Sequence, residues 1–144
     1  MKYSRQATKL TFFALLLVFS SHPTIAADNE LCLTQKLSTG AEVFLTLNKN
    51  QLQVFKPVDV NLQIINPEGQ PVSGAKIYCS LYIPMFATGL NNPNLTADDN
   101  TGNYKGVFIF NHQGNWKADM TINLPDGTYD ELSFDISEIQ PKKI

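Results

Sequence analysis

From Ala41 onward, apolar and polar residues alternate with a period of two, and the 3.6-residue rhythm of an amphipathic helix is nearly absent. Val43, Leu45 and Leu47 share one face of residues 41–47, and Val58, Val60, Leu62 and Ile64 oppose Asp59, Asn61 and Gln63. Turn formers crowd Asn66-Pro67-Glu68-Gly69-Gln70-Pro71, after which Ala75, Ile77, Cys79, Leu81 and Ile83 point inward against Lys76, Tyr78, Ser80 and Tyr82. Tyr104 to Phe110 is apolar on both faces, which predicts a central strand or a covered outer face. Trp116, Ala118, Met120, Ile122 and Leu124 alternate with Lys117, Asp119, Thr121 and Asn123, so Trp116 belongs to the core and Met120 is core filler. Pro125-Asp126-Gly127 marks a tight turn before a last strand carrying Leu132, Phe134 and Ile136. Six to seven short strands separated by turn signals predict an all-β, antiparallel two-sheet sandwich of the immunoglobulin type, with a closed barrel as the alternative. The connection from Pro84 to Asn103, rich in Asn, Asp, Gly and Pro, is long enough to be a place to look for function.

Ahead of these strands lies a different pattern. A basic stretch with Lys2, Arg5 and Lys9 precedes the apolar run Leu10 to Phe19, and small residues follow at Thr24-Ile25-Ala26-Ala27. This is the order of a secretory signal peptide, expected over residues 1–27, with a single domain over 28–144. The apolar run of ten residues falls short of the roughly 20 that a spanning helix needs, so no membrane span is expected after signal removal. The expected location is periplasmic or secreted.

Composition narrows the class further. A chain of 144 residues, 43% hydrophobic and 10% aromatic, has enough apolar surface for one core and is not a disordered tail. Without the three leader bases, eight basic residues face thirteen acidic ones, a net charge of −5. That balance is a poor footprint for nucleic acid, and no nucleic-acid partner is expected.

Candidate chemistry is sparse. Export favours a Cys32–Cys79 disulfide, the alternative being two buried free thiols; the spacing does not resemble a zinc knuckle. His112 is the one histidine after the leader and has no nucleophile elbow beside it, while Asp98/Asp99 and Asp130/Glu131 are merely sequence neighbours. The chain is therefore not expected to be an enzyme. Asp98 to Asn103 lacks the glycine and glutamate order of an EF-hand and is expected to be a solvated turn. Tyr78 and Tyr82 share an outward parity, and with Met85 and Phe86 of the long loop they make a candidate face for a protein partner.

Four segments, Pro57-Val58-Asp59-Val60, Gly69-Gln70-Pro71-Val72-Ser73-Gly74-Ala75-Lys76, Gly102-Asn103-Tyr104-Lys105-Gly106 and Gly114-Asn115-Trp116-Lys117, occur in an order that resembles the YtkA-like and FixH-like exported domains. The likeness covers roughly positions 54 to 136. It implies an immunoglobulin-like sandwich outside the cytoplasmic membrane, in a group linked to copper or other cation handling or to assembly of respiratory oxidases. Many of those relatives carry Met and His in the corresponding loop and a Met before the Gly-x-Trp element. Here the loop offers Met85, and His112 stands before Gly114-Asn115-Trp116. Thioether and imidazole suit copper, so Met85 and His112 form the candidate metal pair. The expected function is a small exported accessory or binding module that contacts an envelope protein, the alternative being a copper or other cation-handling protein that uses this pair.

Overall fold

In a computed structural model, residues 29–98 and 101–144 are described, and the expected leader lies outside them. Eight strands form two antiparallel sheets: β1 (Glu30–Lys36), β2 (Glu42–Asn48), β3 (Val58–Ile65), β4 (Lys76–Tyr82), β5 (Thr96–Asp98), β6 (Asn103–Phe108), β7 (Gly114–Asn123) and β8 (Tyr129–Ile139). One sheet has the order β1-β2-β3-β6-β5 and the other β4-β7-β8. Setting β1 aside, four strands face three with the connectivity of a constant-type immunoglobulin domain. β1 adds a fifth strand outside β2, pairing Glu30 with Asn48 through to Lys36 with Glu42.

Two of these strands exceed the sequence expectation for physical reasons. β1 buries only alternate flanks, Leu31 and Leu33, and β5 is three residues long within the long connection, so neither has the apolar repeat of a core strand. Of the two readings of residues 104–110 the central position holds, since β6 lies between β3 and β5, while Val107 and the following Ile109 are exposed, so the outer face is not covered. β6 is held by β3 on one side and by short β5 on the other, which secures the ladder without shielding that face.

Inward positions from both sheets meet in one core. Val43, Leu45, Leu47, Val58, Leu62, Ile64 and Phe108 are sealed from solvent on one side, against Leu81, Trp116, Met120, Ile122, Phe134 and Ile136 on the other. Each such side chain contributes ~1.5–3 kcal/mol relative to an exposed one. Trp116 packs edge-on against Phe110 at 5.2 Å between ring centroids, and its indole N–H donates to the His112 carbonyl at 3.0 Å. Its polar atom is thereby satisfied inside the sandwich.

Two of the sequence segments noted above meet at one corner. The Tyr104 hydroxyl donates to the Val72 carbonyl (2.8 Å) and accepts from the Ala75 N–H (2.9 Å), joining β6 to the β3–β4 connection. Gly102, with φ +73°, lies so close to Pro71 that a Cβ would stand 2.5 Å from the Pro71 Cβ. No side chain fits there, which accounts for glycine two residues before the tyrosine.

On the opposite flank, β1 and the residue segment after it reach across to β8. The Gln35 amide donates to the Ser133 carbonyl at 3.1 Å, and the Ser38 N–H donates to the Asp130 carboxylate. That contact holds the Asp130 carboxyl below the usual carboxylate range.

The expected disulfide is corrected as well: Cys32 and Cys79 are both free. With Leu31 and Leu33 inward, pleating turns Cys32 outward beside Thr46, whereas Cys79 faces the core from the other sheet. The two thiols lie on opposite sides of the five-stranded sheet, which no disulfide geometry spans.

Candidate functional site

Because pleating alternates side chains, the outer face of β4-β7-β8 is built from residues the core does not use. Register fixes three rows across it: Tyr78, Thr121 and Glu131; Ser80, Asp119 and Ser133; Tyr82, Lys117 and Asp135. The third row is closed by one bond within it and one to the second row. Lys117 Nζ pairs with Asp135 at 2.7 Å, and the Tyr82 hydroxyl donates to Asp119 Oδ2 at 2.8 Å. The other two rows form an open floor.

A wall rises beside that floor from the long connection. After β4 the chain doubles back along its free edge, where the Leu81 N–H donates to the Asn91 carbonyl at 2.8 Å and Tyr78 bridges to Asn94. The strap then crosses to the other sheet, pressing Asn94 and Leu95 against Gly106. A Cβ at Gly106 would lie 2.5 Å from the Asn94 carbonyl oxygen and 2.8 Å from the Leu95 side chain. Strap and sheet enclose a groove of about 790 Å³, with Leu90, Asn92 and Pro93 in the wall and Tyr78, Asp119 and Glu131 on the floor. That is within the size range of small-ligand sites.

Electrostatics favour hydrogen bonding over nucleophilic chemistry. The bond to Asp119 raises the Tyr82 phenol above its ordinary value, with burial and the carboxylate charge adding to the effect. Burial, and then the Asp119 charge, push the Cys79 thiol up to about 12, so at neutral pH it stays protonated beneath the floor. Lys117 is raised by its hydrogen bond to Asp135. Among the described residues, neither Asp119 nor Glu131 makes an ion pair.

The partner face expected from sequence is divided in two. Tyr78 stands exposed at the groove, and Tyr82 is half-buried against Asp119 on the same face. Met85 and Phe86 lie instead at the end of the sandwich, on the loop that leaves β4. Phe86 meets His112 edge-on at 4.9 Å between ring centroids, and His112 Nδ1 is 2.8 Å from the Asn111 side-chain oxygen. Met85 and His112 therefore sit on loops that touch, with Met85 fully exposed. Among the described residues, no three His, Cys, Asp or Glu side chains gather as a metal-binding group. Sequence reading passed over Ser80, Asp119, Thr121 and Ser133 as site residues, and set Glu131 aside as a mere neighbour of Asp130. Their outward parity was the available signal, but only the register of three strands brings them into two adjoining rows.

No family model matches the chain, and no curated protein matches it. Among solved structures it is similar to a crystal structure of a DUF4426 family protein from Pseudomonas aeruginosa PAO1, with a TM-score of 0.59 and 13% sequence identity. The alignment covers 77% of this chain and 99% of that one. At that identity the likeness is one of fold.

Proposed function

We propose that this protein is an exported accessory module of the YtkA-like and FixH-like kind, which binds a basic, extended segment of an envelope protein in the groove of the β4-β7-β8 face. The observation that carries the reading is the groove itself. It is about 790 Å³ in volume, its floor presents two carboxylates without ion-pair partners among the described residues, and Ser80, Thr121 and Ser133 stand beside them. A lysine or arginine side chain satisfies such carboxylates, while hydroxyls and the exposed Tyr78 ring supply hydrogen bonds and a rigid apolar contact. The role is binding rather than catalysis. The test is a photo-crosslinking residue at Tyr78 in the exported full chain, with a second at Glu68, remote from the groove, as control. Adducts to one envelope protein from position 78, absent from position 68 and lost with Glu131→Lys, are the expected result. Adducts indifferent to Glu131→Lys argue against the groove.

A second reading rests on the contact between Phe86 and His112, which joins the Met85 loop to the histidine loop. A thioether and an imidazole on touching loops support cuprous ion binding. Competition with a chromogenic copper(I) chelator tests it: affinity falls at least about tenfold in Met85→Ile with His112→Gln if these are the ligands.

A further inference from the structure

The end of the sandwich away from the Tyr104 corner is formed by three connections and the tail after β8. They are stitched together. The Phe55 N–H donates to the Phe110 carbonyl at 2.8 Å, the Asn91 amide to the Ile109 carbonyl at 2.8 Å, and the Asn111 amide to the Thr88 carbonyl at 2.8 Å. The tail is laid against the β2–β3 connection by Val54 N–H to the Gln140 carbonyl (3.0 Å) and the Gln53 amide to the Pro141 carbonyl (3.0 Å). These bonds fix the loops, so what they display is set by the fold.

What they display is apolar. Phe55, Met85, Phe86 and Ile109 are all exposed, Met85 fully so. Phe55 and Met85 also hold left-handed backbone angles, φ 60° and 62°, where bulky residues are disfavoured and glycine is free. In water such a side chain gains no packing to offset its strain. It gains against an apolar medium.

Charge supplies the orientation. This end carries Lys49, Lys56, Lys142 and Lys143 against Glu30, Asp59 and Glu138. The opposite end carries Glu42, Glu68, Asp98, Asp126, Asp130 and Glu131 against Lys36, Lys76 and Lys105. An anionic surface attracts the first end and repels the second. The chain also joins the sandwich here: the Lys49 N–H donates to the Asn29 carbonyl at 2.7 Å, and the sequence before Asn29 contains the apolar run Leu10 to Phe19.

We infer that this loop end docks on an anionic lipid bilayer, with Phe55, Met85 and Phe86 entering the headgroup region and the lysines meeting lipid phosphates. The inference is independent of the groove, which lies on the sheet face. Shallow insertion of a few large side chains, aided by lysines near the surface, gives reversible attachment.

The test uses the full chain with Cys32→Ser and one environment-sensitive fluorophore, placed at Ala87→Cys in the loop end or at Glu68→Cys at the opposite end. On adding phosphatidylcholine vesicles containing phosphatidylglycerol, the label at 87 brightens about threefold and shifts to the blue, while the label at 68 stays as in water. Phe55→Ser with Phe86→Ser removes most of that gain, with the emission of the sole tryptophan, Trp116, reporting that the core is intact. Lys142→Glu with Lys143→Glu raises the lipid concentration needed by about fivefold or more. A label at 87 that stays in water while the chain sediments with vesicles overturns the inference, because the leader sequence alone then holds the membrane. Equal responses at 68 and 87, or a gain that survives the double serine variant, overturn it too. A label at 87 that is silent with vesicles but brightens with an envelope protein fraction assigns this end to a protein partner and overturns the inference.

Discussion

The groove and the loop end expose their side chains by different means. In the groove, Tyr78, Ser80, Asp119, Thr121 and Glu131 face outward because strand parity turns them there, on relaxed extended backbone. At the loop end, Phe55 and Met85 face outward on backbone held at positive φ, and Phe86 extends beside Met85 from the loop that leaves β4. A polar outer face follows directly from alternation. A rigid cluster of apolar tips does not, and it costs conformational energy that a sequence under no demand at that end would relieve with glycine. The first region suits a polar, basic segment, and the second suits an apolar, anionic interface.

The contrast can be broken in graded ways. The largest difference concerns thiols: Cys32 reacts with a maleimide at neutral pH at least about 100-fold faster than Cys79, as followed by intact mass. Comparable rates would mean that the groove floor is open to reagent. Gly106→Ala forces the strap off β6 and lowers stability by about 2–3 kcal/mol in urea denaturation, while speeding Cys79 labelling. Tyr104→Phe, remote from both regions, strands the Ala75 N–H and the Val72 carbonyl and costs about 1–2 kcal/mol, with crosslinking from Tyr78 and vesicle response at Ala87 unchanged. Phe55→Gly separates strain from function: it raises stability by a few tenths to about 1 kcal/mol and weakens vesicle binding. The smallest effect is at Asp130. Its carboxyl is depressed by the Ser38 N–H, so its contribution is present at neutral pH and is lost as pH falls below the ordinary carboxylate range through the depressed value. Asp130→Asn removes that part of the acid sensitivity, read as a smaller drop in melting temperature between neutral and acidic buffer.

Much of the fold is legible as alternation, because burial on one face of a pleated strand writes itself into every second residue. β3 and β7 show this most directly, and Trp116 and Met120 lie where their parity places them. β5 is invisible for the same reason, since three residues cannot declare a period. The cysteines illustrate a prior from compartment overruling a local signal: Leu31 and Leu33 inward already require Cys32 outward. The groove needs registers of three strands and the return of a strap, relations between segments that no single segment encodes. Nothing in Val54-Phe55-Lys56-Pro57 announces a left-handed phenylalanine, which the hydrogen bond from its N–H to Phe110 helps to hold.

The reach of Gln35 and Ser38 across to β8 also bears on how molecules of this protein behave in a crowd. β8 is eleven residues long and borders its sheet, a margin onto which a neighbouring strand could zip. Side-chain clasps rather than a continuous ladder guard it, so partial peeling of β1, as in acid where the Asp130 clasp weakens, bares a sticky rim. Acidified, concentrated stocks should thicken into strand-exchanged chains well before the individual sandwiches melt.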